Sequence, residues 1–240
     1  MADPIFTAIF DDAAHIGEAT LSLVNAVLAD EGREPVQKIL QVTPQRTRPA
    51  ADPDGRSFRL DVGAVSGAGE FVHVEVRLMM FHRMTELNPL FSVANLYGNA
   101  GRAGKLSDVV KKMPRMIVID ILDFVLRPSS ADFHQLVGLQ YLEGPVEWVS
   151  DRLEIHMIQL PLFKAMAPDF KNPLHCWLTA ITRARGQGKS LNEVVETDPA
   201  LKEFREADPG FAQFVDRYGI VASTPEMLKA YDDWQIARMA

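Results

Sequence analysis

The chain has 240 residues, 47% of them hydrophobic and 24% charged, with a formal net charge of −7. That is enough for one α/β domain with a proper core plus an appendage, and the negative charge argues against broad, tight binding of nucleic acid while leaving room for a local basic groove. The single cysteine, Cys176, excludes an internal disulfide and suits a reducing cytoplasm; no run of 18 apolar residues predicts a membrane span, and the acidic N-terminus predicts no signal peptide.

The first element is a helix over Ile16–Leu28, with Ile16, Leu21, Val24, Val27 and Leu28 on one broad face. Glu18 lies on this helix, as a solvated acid or as something more. Val36–Val42 is a short strand opening after Pro35. Thr43–Gly55 is a loop with three prolines and the basic residues Arg46 and Arg48. It is a solvated connection or a contact to a phosphate backbone.

Ser57–Val65 and Phe71–Met80 then read as a β-hairpin. Both are rich in β-branched and apolar residues, with Ser66-Gly-Ala-Gly between them as turn chemistry. In the second strand Val72, Val74, Val76 and Leu78 point one way; Phe71, His73, Glu75, Arg77 and Met79 point the other. A turn centred near Ala68 puts Asp61 opposite Glu75, on one face, with Cβ atoms about 5 Å apart. Arg59, His73 and Arg77 share that face. Two carboxylates so close repel unless a cation lies between them. Mg²⁺ with hard oxygen ligands is one answer, and a cross-strand ion-pair ladder to Arg59 and Arg77 is the other.

His82–Tyr97 reads as helical, interrupted near Asn88-Pro89. Gly98–Lys105 fails as a phosphate loop: its spacing is one residue too long, no strand precedes it, and Leu106 stands where Ser or Thr is needed. Met116–Val125 is an apolar run typical of a strand buried on both faces. Asp120 and Asp123 interrupt it, and a capping or edge role is expected for them. Phe133–Tyr141 and Leu153–Leu160 are two further strands joined through Gly144-Pro145. Helices follow at Leu174–Ala184, Leu191–Val195, Ala200–Ala207, Gly210–Tyr218 and Pro225–Met239, the last with Ser223 and Glu226 as a capping box. Arg183, Arg185 and Lys189 form a basic turn after a helix. It either complements the helix dipole or contacts phosphate. The six histidines show no metal-ligand spacing.

Asp61 on one strand, a turn, then Glu75-x-Arg77 on the next resembles the core of the PD-(D/E)XK nuclease superfamily. An ordered series narrows the resemblance: Asp3-Pro-Ile-Phe-Thr-Ala-Ile-Phe10, Leu21–Leu28, Leu60–Val62, Val74–Val76, Ile119–Phe124 and Leu153–Pro161. The chain is similar in this to the Rpn family of recombination-promoting nucleases and transposases. Two positions depart from the family pattern. Thr7 stands where the family has Lys, and Arg77 where it has Gln or Lys.

The resemblance implies an α/β fold, a restriction-endonuclease-like mixed sheet flanked by helices. It implies a nuclease-like domain over 1–164 and a helical extension over 165–240 packed on it. It further implies a Mg²⁺-dependent (or Mn²⁺-dependent) endonuclease acting on double-stranded DNA in the cytoplasm, with a homo-oligomer allowed. Asp61, Glu75 and the Val76 carbonyl would hold the metal, Glu18 being a further candidate. Arg77 would stand near the scissile phosphate. Arg59, His73, Arg183, Arg185 and Lys189 are the candidates for DNA contact. The alternative is a catalytically inactive nuclease-fold module that binds DNA or a protein partner.

Overall fold

The computed structural model describes residues 17–44, 62–67, 71–77, 93–94, 114–145, 147–186, 190–226 and 229. The architecture grows outward from β4 (Met116–Leu122), whose seven residues are all buried. Such a strand needs cover on both faces and a neighbour on both sides, because its main-chain groups have no water to bond. Its neighbours are β3 (Phe71–Arg77) and β6 (Leu153–Gln159), both parallel to it. Outside these lie β2 (Val62–Ser66) and β1 (Ile39–Pro44) on one flank and β5 (His134–Val137) on the other, all three antiparallel to their neighbours. The order is β1-β2-β3-β4-β6-β5, a mixed six-stranded sheet.

Each face has its own core. Val72, Val74, Ile117, Ile119, Ile121 and Ile158 pack under the helices. Phe71, Met116, Val118, Leu153, Ile155 and Met157 form a smaller cluster with Val93 on the opposite face. The helical side begins with α1 (Gly17–Asp30). It closes at Gly32, whose φ of 61° suits glycine, with Arg33 N donating to Leu28 O and Gly32 N to Ala29 O. Asn25 then clasps Val36 through both amide atoms, at 2.9 and 2.8 Å. That side-chain clasp replaces a ladder at Val36, so the first strand starts at Ile39, later than expected from the sequence.

After β6 come α2 (Leu160–Lys164), α3 (Pro173–Gly186), α4 (Leu191–Thr197), α5 (Pro199–Ala207) and α6 (Pro209–Ala222). Their starts are locally specified. Ser190 and Glu193 form a capping box, and Asp198 and Asp208 cap α5 and α6, each ahead of a first-turn proline. Ser223, expected to cap the next helix, closes α6 and donates to Ile220 O at 2.8 Å.

The helices share one core with α1. Trp177, Phe211 and Phe214 are buried with centroids 4.8 to 6.5 Å apart. Ser22 accepts from Trp177 Nε1 at 3.1 Å and donates to Asp208 at 2.7 Å, so one hydroxyl joins α1, α3 and the α6 cap. Among the described residues no helix is long and apolar enough to cross a membrane. The expected helix over 82–97 lies mostly outside the described residues, as do the glycine-rich stretch 98–105, the loop with Arg46 and Arg48, and most of the last helix.

Candidate functional site

The described part of the hairpin pairs Val62 with Val74, Gly63 with His73, Ala64 with Val72 and Val65 with Phe71. Each pair is symmetric about position 68, the register expected from the turn chemistry. Asp61 and Arg59 lie outside the described residues, and for Glu75, Val76 and Arg77 the description stops at the strand. β3 continues into a parallel pairing that sets Glu75 against Asp120 and Arg77 against Leu122. β4 in turn sets Asp120 against Met157. Glu75 and Asp120 therefore occupy register positions on the same face, toward the carboxyl ends of parallel strands.

His73, one of the expected DNA contacts, is fully buried in β3. One expectation changes here. Asp120 is neither a cap nor an edge residue: it sits fully buried in mid-strand, with a neighbour on each side. Asp123 lies past the strand end, 3.4 Å from the half-exposed Lys164. Pairs of that kind contribute little.

The other expected residues are dispersed. Glu18 is exposed in the first turn of α1. Arg183 is hydrogen-bonded and ion-paired to Asp198, the α5 cap, and so ties α3 to α5. Arg185 belongs to α3, its side chain outside the description, and Lys189 lies outside the described residues. Cys176 is buried and donates to Phe170 O at 3.3 Å, while its neighbour His175 accepts from Asp169 N at 2.9 Å. The thiol and the imidazole thus serve different partners.

A second polar assembly was not foreseen. It lies where the C-terminal end of α1 meets β5 and β6. His134 Nδ1 is 2.6 Å from Asp30, and its Nε2 is 3.0 Å from Nδ1 of His156. His156 Nε2 faces Glu154 at 3.6 Å. Glu154 also accepts from Arg33 at 2.7 Å and from Arg115 at 3.1 and 3.0 Å. Asn172 donates to the other Asp30 oxygen at 2.5 Å. Two neutral imidazoles carry the two protons that the 2.6 and 3.0 Å contacts need, and the 3.6 Å approach of His156 to Glu154 is longer than a hydrogen bond.

Burial works to raise Glu154, but the neighbouring His156 and the hydrogen-bonded Arg33 and Arg115 outweigh it and hold its carboxyl far below the usual range. Burial also works to raise Asp30, and bonds from His134 and Asn172 bring it below the ordinary value. Burial pushes the His156 pKa down against the pull of Glu154, with His134 adding to the fall.

Asp30, Glu31 and His134 have ligand atoms within 4.8 Å of one another and could hold a divalent ion of the kind that accepts imidazole and carboxylate together. A cleft of about 530 Å³ beside them is lined also by Arg127, Ser130 and Gln135. Sequence spacing could not reveal this group, since Asp30 and His134 are 104 residues apart. The usable signal was the antiparallel pairing of two expected strands, which brings His134 and His156 to one face.

Residues 1–238 match the family model described as PD-(D/E)XK nuclease family transposase. No curated protein and no solved structure matches the chain.

Proposed function

The chain belongs to the PD-(D/E)XK nuclease family transposase family, and from that premise we propose that it is a divalent-metal-dependent endonuclease acting on double-stranded DNA. The family match, spanning nearly the whole chain, is the observation that carries the reading. The hairpin register supports it. Continued by one residue beyond the described pair of Val62 with Val74, the same register would set position 61 against Glu75. The position also fits, because ligands in open α/β sheets bind outside the carboxyl ends of the strands.

The donor set suits the ion that this family implies. Asp61, Glu75 and the Val76 carbonyl are hard oxygens, the ligands of Mg²⁺ or Mn²⁺, and Glu18 is a further candidate. When bound, such an ion supplies Lewis-acid activation of water and neutralises charge on the scissile phosphate. The chain's residues do the rest. Asp61 and Glu75 fix the position at which a phosphate can be met. Arg77 stabilises charge developing on that phosphate; it stays protonated and takes no proton itself. Arg59, Arg183, Arg185 and Lys189 are the proposed backbone contacts. Residues 1–164 are the nuclease-like domain and 165–240 a helical extension packed on it, which the core shared by α1, α3 and α6 supports.

A second reading, an inactive nuclease fold that binds DNA or a protein, is favoured by Arg77 and Thr7, where the Rpn pattern has Gln or Lys and Lys. One experiment separates the two. Supercoiled plasmid is incubated with wild type, Asp61→Ala, Glu75→Ala, Arg77→Gln and Arg77→Ala in Mg²⁺ and in Mn²⁺. The endonuclease reading expects wild-type cleavage, none in the two acid variants, measurable activity in Arg77→Gln, and a loss on the order of 10²-fold in Arg77→Ala. No wild-type cleavage, with activity appearing in Arg77→Gln, supports the inactive module. Cleavage that survives Glu75→Ala defeats both.

A further inference from the structure

We propose that Asp30, Glu31 and His134 form a site for a transition-metal ion of the Zn²⁺ class, with His156 and Glu154 as the outer partners that set His134. The site is on β5, at the far side of β4 and β6 from β3, and does not rest on the reading of Asp61 and Glu75. Asp30 ends α1, Glu31 follows it, and His134 opens β5. From Nδ1 of His134 the Asp30 oxygen is 2.6 Å away and the Glu31 oxygen 3.6 Å. Donors around a four-coordinate ion with bonds of about 2.1 Å stand roughly 3.4 Å apart. Glu31 is close to that distance already, and Asp30 reaches it by opening less than about 1 Å. Asn172 holds the other Asp30 oxygen at 2.5 Å and so orients the carboxylate. One imidazole with two carboxylates suits Zn²⁺ better than Mg²⁺, which prefers oxygen ligands.

The placing of protons is what points to a metal. Asp30 accepts as a carboxylate, so Nδ1 of His134 carries a proton and its Nε2 accepts from Nδ1 of His156. A neutral His156 then turns a bare Nε2 lone pair toward Glu154, 3.6 Å away. That nitrogen is buried, in a residue with no exposed surface, and has no hydrogen-bond partner among the described residues. A buried lone pair facing a carboxylate is unfavourable. A metal at Nδ1 of His134 displaces the proton there and turns over both rings. The proton between the rings passes from His156 Nδ1 to His134 Nε2, and the displaced one is made good at His156 Nε2, which donates toward Glu154. The same two protons then serve every contact, in the carboxylate–histidine–metal order typical of outer partners. A second observation lies in the adjoining cleft of about 530 Å³. Gln135 lines it, and both its amide atoms are buried without a partner among the described residues, groups that metal-bound water can serve. Asp30, Glu31 and Asp132 outnumber Arg127 on the wall, so the cleft favours a cation.

The test is a calorimetric titration of the full chain with Zn²⁺ in excess Mg²⁺, which fills all-oxygen sites, paired with long-range proton–nitrogen NMR spectra of the histidine rings. The proteins are wild type, His134→Gln and Glu31→Gln. Glu31 keeps 30% of its side chain exposed, so its variant folds even where the buried His134 variant does not. The expected result is Zn²⁺ binding that Glu31→Gln weakens by more than about 10-fold, the loss that even an outer partner of a metal site causes. In the spectra His134 and His156 should both be Nδ1–H forms without metal and Nε2–H forms with it. A surface carboxylate site leaves both rings unchanged. Zn²⁺ that binds Glu31→Gln as tightly as wild type, or that leaves the two rings as Nδ1–H, overturns the proposal, and so does the absence of binding in Mg²⁺.

Discussion

Gly210→Ala tests whether α1 and the C-terminal helices form one folding unit. Gly210 is the second residue of α6, and a Cβ there would stand 2.4 Å from Glu18 O and 2.6 Å from Ser22 Cβ on α1. The first of these is backbone, which cannot swing aside. Glycine to alanine in an unhindered helix gains roughly 0.5–1 kcal/mol, whereas forcing atoms into a packed contact costs about 1–3 kcal/mol. The overlap is severe, so the net is a loss of about 2 kcal/mol. For a chain of this size that lowers Tm by roughly 4–8 °C.

Gly219→Ala is the control. Its Cβ would meet the amide of Asn192 at 2.6 Å, the far end of a side chain that can rotate away. That variant should melt at or slightly above wild type. Differential scanning calorimetry of the three proteins reads both effects. A Gly210→Ala protein as stable as wild type would refute the close packing of α6 on α1. Two separate transitions, only one of them shifted, would refute the single unit.

Further expectations concern the buried polar groups. Glu154→Gln should cost about 3 kcal/mol by urea denaturation, because Arg33 and Arg115 lose their anionic partner; the figure lies at the lower end for buried pairs because the two arginine side chains keep 27% and 16% exposure. An unchanged midpoint would show that water replaces the carboxylate. His156 has a lowered folded-state pKa, so the unfolded chain takes up the proton first; its contribution is complete above about pH 6.5 and declines as pH falls below that value. Urea midpoints should therefore drop from pH 8 to pH 5.5, and by less in His156→Gln; a midpoint that rises toward acid contradicts the assignment. Burial, followed by the nearby Asp198 carboxylate, pushes the Cys176 thiol up to about 11. It should resist a disulfide reagent at pH 8 until the protein unfolds, and prompt labelling of the native protein would show that the site opens.

Wherever neighbours in sequence are neighbours in space, the fold was legible. The run Met116–Val125 reads as a strand covered on both faces, and its first seven residues, Met116–Leu122, form one, all of them buried. The hairpin carries its own register, since a short turn leaves the two strands few ways to pair. The four described pairs follow the symmetry read from the turn residues. The starts of α4, α5 and α6 are likewise local, each fixed by a cap and its first turn. The family pattern was legible for the same reason, being a series of short motifs in order.

What only the tertiary structure decided is how the parallel strands lie against one another. No turn sets the register between β3 and β4, whose paired residues are 45 positions apart, so nothing near Asp120 in the sequence indicates that Glu75 stands beside it. Asp120 therefore read as an interruption of an apolar run. His134, His156 and Asp30 are separated in the same way, and their contact depends on where the end of α1 settles against the β5 edge. Periodicity assigns a residue to a face. Which acid or imidazole stands opposite it on another strand follows from how the whole core packs, and that is a property of the assembled sheet and helices together.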